Sequence, residues 1–463
     1  MVHKYVGLPF TTLSFILLTA CSSVPILVQD MAMQLPKKIS LENAHGVISN
    51  QQSKKILAKI KKDGPETNIF DKHLALISEI AGSALMVGNQ VDLLIDGPST
   101  YAAMLSAIEN AKDHINMETY IFEDGEVGQQ FASLLMAKQK SGVQVNLIYD
   151  SAGSFDMPKA FFSMLKDSGI NILEFNPINP LNKRKDWDLN QRDHRKLLIV
   201  DGKIAFVGGI NISSVYSSGS FSRSSKNLKD SKNSIPWRDT HLQIAGPIVA
   251  EFQKVFTETW QQQKGEPLAS KEYFPVLMSQ GNEVVGVIAS NPEESYSQMY
   301  ATLLSAINSA ESQVFLTNAY FVPDPQLLTA LKEAVGHGAD VRLLLPENTD
   351  SNLVFYASHS YYDELFSAHV KIYQRQGVML HAKTALIDGV WSTIGSTNLD
   401  WRSFTNNQEI NAVMLGRDFG AQMQALFEYD LTLSKQITLE EWRKRSIGAR
   451  IKEQSARLWA RFL

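Results

Sequence analysis

The sequence predicts an α/β protein of two similar halves, each a mixed sheet flanked by helices, and three observations carry this. The 463 residues exceed what one ordinary hydrophobic core holds. Strand–helix alternation occurs twice: strands over 91–95, 115–122 and 143–150, with helices over 102–112 and 128–140, are answered by strands over 284–289, 313–321 and 341–346, with helices over 296–310 and 325–336. Thirty residues separate Tyr120 from Asp150, and thirty separate Tyr320 from Asp350.

Taken in order, the chain opens with Met1-Val-His-Lys4 and an apolar run, Leu13 to Leu18, too short to span a bilayer as a stable helix. With Leu18-Thr19-Ala20-Cys21 behind it, residues 1–20 resemble a bacterial lipoprotein signal, which implies cleavage and acylation of Cys21; a generic signal peptide or start-transfer anchor is the alternative. Cys21 is the only cysteine, so no disulfide partner competes for it. Residues 21–70 read as a tether or an early helix and carry no assigned chemistry. The first half is expected over 71–264 and the second over 265–434, with Lys264-Gly-Glu-Pro267 breaking the pattern between them. In the first helix Met104, Leu105, Ile108 and Ala111 fall at helical spacing.

Net charge is −4 and hydrophobic content 44%, as in a folded body with no basic excess, which argues against a nucleic-acid partner. Residues 435–463 differ, with eight Lys or Arg against three Glu and interleaved aromatics. This tail reads either as an amphipathic helix on anionic lipid or as an end helix docked on the body. The segment Ser217–Ser234, rich in Ser, Lys and Asn, has no counterpart in the second half and reads as a surface loop or as a lid.

The chemistry lies in a duplicated motif. His194, Lys196, Asp201, Gly208 and Asn211 recur with the same spacing as His381, Lys383, Asp388, Gly395 and Asn398. One copy would read as polar residues at a strand end, but two copies with the same tail do not. Each reads as strand, turn, strand, with Asp201-Gly202 and Asp388-Gly389 at the turns. His and Lys stand two apart and project from one strand face, whereas strand parity turns the aspartates away, toward holding the hairpin rather than moving protons. Two imidazoles suit phosphoryl transfer: one, neutral, attacks phosphorus, and the other, protonated, protonates the leaving alkoxide. Lys196, Lys383, Asn211 and Asn398 would bind the non-bridging phosphate oxygens. No cluster of Asp, Glu and His surrounds either motif, so neither a metal nor another cofactor is expected.

These paired motifs resemble the phospholipase D superfamily. Glu118-Thr-Tyr-Ile-Phe122, Tyr149-Asp-Ser-Ala-Gly-Ser154, Trp237-Arg-Asp-Thr-His241 and Tyr320-Phe-Val-Pro323 are similar to segments of bacterial cardiolipin synthases, and the likeness runs from about Asp92 to about Glu428. It implies two phospholipase D-like α/β halves packed about a pseudo-twofold axis, with the active site at their seam and all eight motif and partner residues, Asp201 and Asp388 included, counted in the catalytic set. It implies His194 as nucleophile and His381 as acid. It also implies that an acidic residue at Glu409 pairs with the histidine of its own half; Asp239 is assigned to the other imidazole by matching context. Their environments should push the two histidine pKa values apart. The expected reaction is a metal-independent phosphatidyl transfer from phosphatidylglycerol or a similar donor to a second phospholipid. A hydrolytic phospholipase D or a nuclease is the alternative, and a non-catalytic lipid-binding lipoprotein a third reading that two intact motifs disfavour. A lipoprotein would face the periplasm from the inner or outer membrane. The sequence leaves the oligomeric state open.

Overall fold

The computed structural model describes residues 41–62, 67–74, 84–179, 188, 190–218, 235–292 and 297–463. Cys21, the signal segment and residues 219–234 of the Ser-rich insertion lie outside the described residues.

Among the described residues, seven matching strands build the sheet of each half. In the first these are β1 (Leu85–Leu94), β2 (His114–Thr119), β3 (Gln144–Asp150), β4 (Asn171–Phe175), β5 (Lys196–Val200), β6 (Ile204–Gly208) and β7 (His241–Ala245). In the second they are β8 (Glu283–Ser290), β9 (Gln313–Asn318), β10 (Asp340–Pro346), β11 (Lys371–Arg375), β12 (Lys383–Ile387), β13 (Trp391–Gly395) and β14 (Asn407–Leu415). The order in space is β4-β3-β2-β5-β6-β7-β1 and, identically, β11-β10-β9-β12-β13-β14-β8. In each half only the strands joined by helical crossovers, β2 to β4 and β9 to β11, run parallel, because a parallel neighbour needs a long return path.

Local chemistry sets the element ends. The first helix begins at Gly97, five residues before the apolar spacing suggests, because the Asp96 carboxylate accepts from the Ser99 N–H and Pro98 lies in the first turn. Asp324 and Pro325 start the helix Pro325–Gly336 in the same way. Both motif hairpins close through turns with two positive φ values, 53° and 61° at Asp201 and Gly202 and 50° and 64° at Asp388 and Gly389. This is the turn whose twist matches antiparallel strands, and aspartate and glycine tolerate it.

The two sheets share a central core: Val91, Leu197, Val207 and Leu242 meet Val285, Leu386, Ile394 and Ile410, with the helices Val249–Gln262 and Arg417–Thr432 in the same cluster. At the seam β1 also pairs antiparallel with β8. Residues 41–62 and 67–74 hold an early helix and pack largely on the second half. Leu41–Asn43 pairs with β1, the helix Asn50–Lys62 packs on the second half's outer core through Ile56, Leu57 and Ile60, and Ile69, Phe70 and Leu74 are buried in that core. Apolar burial outweighs sequence order, so residues 71–74, expected in the first half, sit against the second.

The C-terminal tail docks through one face. Ser434–Ile437 extends the second sheet alongside β11, and Trp442 is buried against Tyr362, Phe366 and His359. Arg445 lies 4.2 Å over the Trp442 ring and is bonded to Asp363 and Glu453. No helix among the described residues is long and apolar enough to cross a membrane.

Candidate active site

Both histidines stand at the seam just before a strand begins, and each is held there by the other half. Arg192–Asp193 pairs parallel with Asn407–Gln408, so the His194 N–H donates to the Gln408 carbonyl at 2.9 Å. Reciprocally, Trp237–Arg238 pairs with Met379–Leu380, and the His381 N–H donates to the Arg238 carbonyl at 2.7 Å. Each histidine is thus anchored one residue before the carboxylate it uses. His194 Nδ1 lies 3.0 Å from both oxygens of Glu409, and His381 Nδ1 lies 2.6 Å from Asp239 Oδ2. The same-half pairing expected for Glu409 is therefore overturned: both His–carboxylate pairs cross the seam, because the two-residue bridges carry each carboxylate into the opposite half.

Burial alone would raise the Glu409 and Asp239 pKa values, but His194 and Lys196 near Glu409, and Lys383 and His381 near Asp239, outweigh it and keep both below the usual carboxylate range. An ionised carboxylate only accepts, so each imidazole carries its proton on Nδ1 and keeps its lone pair on Nε2. Among the described residues neither Nε2 has a hydrogen-bond partner. Burial pulls both histidines down to about 4; Glu409 opposes this at His194, while the Lys383 ammonium adds to it at His381. Burial is the leading cause at both and lowers them together, so the expected separation of the two pKa values is not seen.

Lys196 Nζ donates to the His194 carbonyl at 2.5 Å, and Lys383 Nζ donates to that of His381 while lying 2.9 Å from its Nδ1. Burial lowers the two lysines to about 7 and about 8, against the pull of Glu409 and Asp239. An anion beside the two lysines would favour their charged forms, so the pair suits an anionic ligand.

Asp201 and Asp388 stand apart from this chemistry. The Asp201 carboxylate accepts from the N–H groups of Lys112, Asp113 and His114 at 2.7–3.1 Å, and Asp388 accepts from Glu311, Ser312 and Gln313 at 2.8–3.2 Å and from the Ser312 and Thr67 hydroxyls. Each ties its hairpin turn to the start of β2 or β9, as strand parity suggests, and among the described residues neither is hydrogen-bonded to a motif histidine or lysine. Asp388→Ala, which leaves several buried donors without an acceptor, is expected to lower unfolding free energy by about 3 kcal/mol in chemical denaturation. Turnover per folded molecule should change little; a large loss with stability intact would return Asp388 to the reaction.

The asparagines are placed differently from each other. Asn211 accepts from the Ile121 N–H at 3.1 Å and reaches the Tyr216 hydroxyl at 3.4 Å, a structural engagement. Asn398 is buried with its Oδ1 unpartnered among the described residues. Neither amide is hydrogen-bonded to a motif histidine or lysine.

Several contacts escaped the sequence reading. The Tyr216 hydroxyl lies 3.1 Å from His381 Nδ1, and the Trp237 ring packs on that imidazole at 4.9 Å. Tyr120 meets His194 edge to face at 5.1 Å, and Tyr320 meets His381 at 6.2 Å, so the thirty-residue spacing marked a pair of rings over the two imidazoles. Ser396 donates to Glu409, as does Asn407 at 3.2 Å. At Gly209, the position equivalent to Ser396, a Cβ would stand 2.2 Å from the Asp239 carboxylate, so only glycine admits it. That Gly–Ser difference was visible within the motif.

A family model described as "Cardiolipin synthase, PLD-like domain" matches residues 104–234 and again 303–431. A cardiolipin synthase of Geobacillus kaustophilus is 35% identical over 388 residues, covering 83% of this chain and 74% of that protein. Cardiolipin synthase 2 of Bacillus anthracis is 36% identical over 394 residues, covering 84% and 74%. A solved structure of phosphatidylserine synthase from Haemophilus influenzae superposes with a TM-score of 0.59 over 81% of this chain and 95% of that one, at 14% identity, a likeness of fold.

Proposed function

This chain belongs to the cardiolipin synthase, PLD-like domain family, and we propose that it transfers a phosphatidyl group from phosphatidylglycerol, or a similar donor, to a second phospholipid. The observation that carries the reading is the reciprocal pair of buried imidazoles, each with Nδ1 on a carboxylate of the other half and Nε2 left to react, beside two lysines.

His194 Nε2 attacks phosphorus and the bond to the departing glycerol oxygen breaks, with His381 Nε2–H giving that oxygen its proton. A hydroxyl of the second lipid then attacks the phosphohistidine, returns its proton to His381, and the P–N bond breaks. The covalent intermediate lets the first headgroup leave before the acceptor enters. The diester's negative charge, brought between Lys196 and Lys383, favours the imidazolium that burial disfavours. Because two ammonium groups already neutralise the phosphate, no metal step is invoked. Water would win the second step by concentration unless excluded, and the side chains of His194 and His381, only 10% and 6% exposed under aromatic rings, fit a dry site.

Labelled phosphatidylglycerol in vesicles, given to the purified chain, should yield cardiolipin and free glycerol, undiminished by excess EDTA. Phosphatidic acid as the sole product would establish hydrolysis instead, and activity restored only by a divalent cation after chelation would overturn the two-lysine account.

Membrane attachment through an acylated Cys21, on the periplasmic side, completes the proposal. Mass spectrometry of the mature N-terminus should find acyl chains on Cys21 and none elsewhere; a mature chain beginning at another residue removes the anchor.

A further inference from the structure

The last α-helix, Ile447–Arg457, carries an exposed apolar stripe opposite the side by which it docks. Glu453 and Ala456 are buried against the second half, whereas Ile447, Ile451 and Leu458 are 77%, 61% and 81% exposed. At about 100° per residue these three lie within roughly 40° of one another and opposite the buried side, and Leu458 still has helical dihedrals. The stripe continues into Trp459 and Phe462, exposed and 5.9 Å apart between ring centroids.

This surface lies beside the seam. The Leu463 carbonyl accepts from the Arg402 N–H at 2.7 Å, in the short helix that follows Asn398, and the Arg402 side chain donates to the Asn190 carbonyl, four residues before His194, at 3.2 Å. Ile235, 42% exposed, is two residues from the Trp237 ring that covers His381. The segment 435–463 carries eight Lys or Arg against three Glu; Lys444 is paired with Glu440, while Arg450, on the helix, and Arg461, between Trp459 and Phe462 in the chain, are exposed. A second copy presenting the same basic strip across a twofold interface would be repelled, while an anionic lipid surface accepts both the charge and the aromatic side chains.

We propose that Ile447, Ile451, Leu458, Trp459 and Phe462 form a docking surface for an anionic phospholipid bilayer, seating the seam against the membrane. The inference rests on the phosphatidyl-transfer reading for the identity of the surface, yet binding tests it separately from turnover. The full chain is used with Cys21→Ser, so that no acyl chain contributes, with and without Ile451→Glu and Leu458→Glu, both at exposed positions. Sedimentation with phosphatidylglycerol-containing vesicles should weaken roughly tenfold or more in the double-Glu chain, and vesicle turnover should fall with it, while turnover of monomeric short-chain phosphatidylglycerol stays unchanged. Brominated phosphatidylglycerol should quench tryptophan fluorescence in the parent chain, and Trp459→Phe should remove most of that quenching. Unchanged vesicle binding together with unquenched Trp459 overturns the proposal, as does loss of a dimer in analytical ultracentrifugation with no change in vesicle binding, which would make the occupant a second copy. Vesicle binding that depends on these residues, in a chain that turns over no phospholipid, would leave the docking surface standing and remove the proposed reaction.

Discussion

Replacing His194 or His381 by alanine is expected to lower turnover of phosphatidylglycerol by at least roughly 10⁴-fold, and the double replacement should be little worse, because nucleophile and acid act as one unit. The two losses have different causes, and a change of leaving group separates them. A phosphatidyl ester of p-nitrophenol departs as a stable phenolate and needs no proton. With it, His381→Ala should recover a burst of p-nitrophenolate, since His194 Nε2 still attacks and only protonation of the leaving group was lost. His194→Ala should show no burst, because no P–N bond can form. This assay decides what the near-identity of the two halves conceals. Recovery by His194→Ala instead would make His381 the nucleophile, and turnover within about a tenth of the parent in either single variant would refute the two-histidine site.

What could be read from the sequence follows from where information is local. The motif hairpins were legible because each lies within one short segment whose spacing recurs, and strand parity alone turned Asp201 and Asp388 away from the imidazoles, toward the N–H groups of residues 112–114 and 311–313 that they hold. The crossover of Glu409 to His194 and of Asp239 to His381 was not legible. It depends on two-residue parallel bridges, Arg192–Asp193 with Asn407–Gln408 and Trp237–Arg238 with Met379–Leu380, which have no periodicity to detect. Burial was equally hidden. The common depression of both histidines comes first from desolvation, a property of the packed seam rather than of neighbouring residues in the chain. Ser396 and Gly209, by contrast, stood in plain view as a difference within the motif tails, and only the geometry gives it meaning: a donor to a longer carboxylate in one half, room for a shorter one in the other.

Glu409→Gln and Asp239→Asn are expected to cost roughly 10⁴-fold each at neutral pH, the loss seen when a carboxylate orienting a catalytic imidazole becomes an amide. An amide can present N–H to Nδ1, which moves the imidazole proton to Nε2 and blocks the lone pair needed for attack; it also removes the negative charge that favours the imidazolium. Because the pairs cross the seam, the two variants should sort by the histidine they touch and not by the half they come from. Asp239→Asn should behave as His381→Ala does, recovering its burst with the p-nitrophenyl ester, and Glu409→Gln as His194→Ala does, without a burst. Combining Glu409→Gln with His194→Ala should add little to the single loss, whereas combining it with His381→Ala should remove the burst that His381→Ala alone retains. The opposite sorting, with Glu409→Gln recovered and Asp239→Asn not, would mean that in solution each carboxylate serves the histidine of its own half. That outcome would contradict the 3.0 Å contacts of His194 with Glu409 and the 2.6 Å contact of His381 with Asp239, and with them the reciprocal architecture from which the site is built.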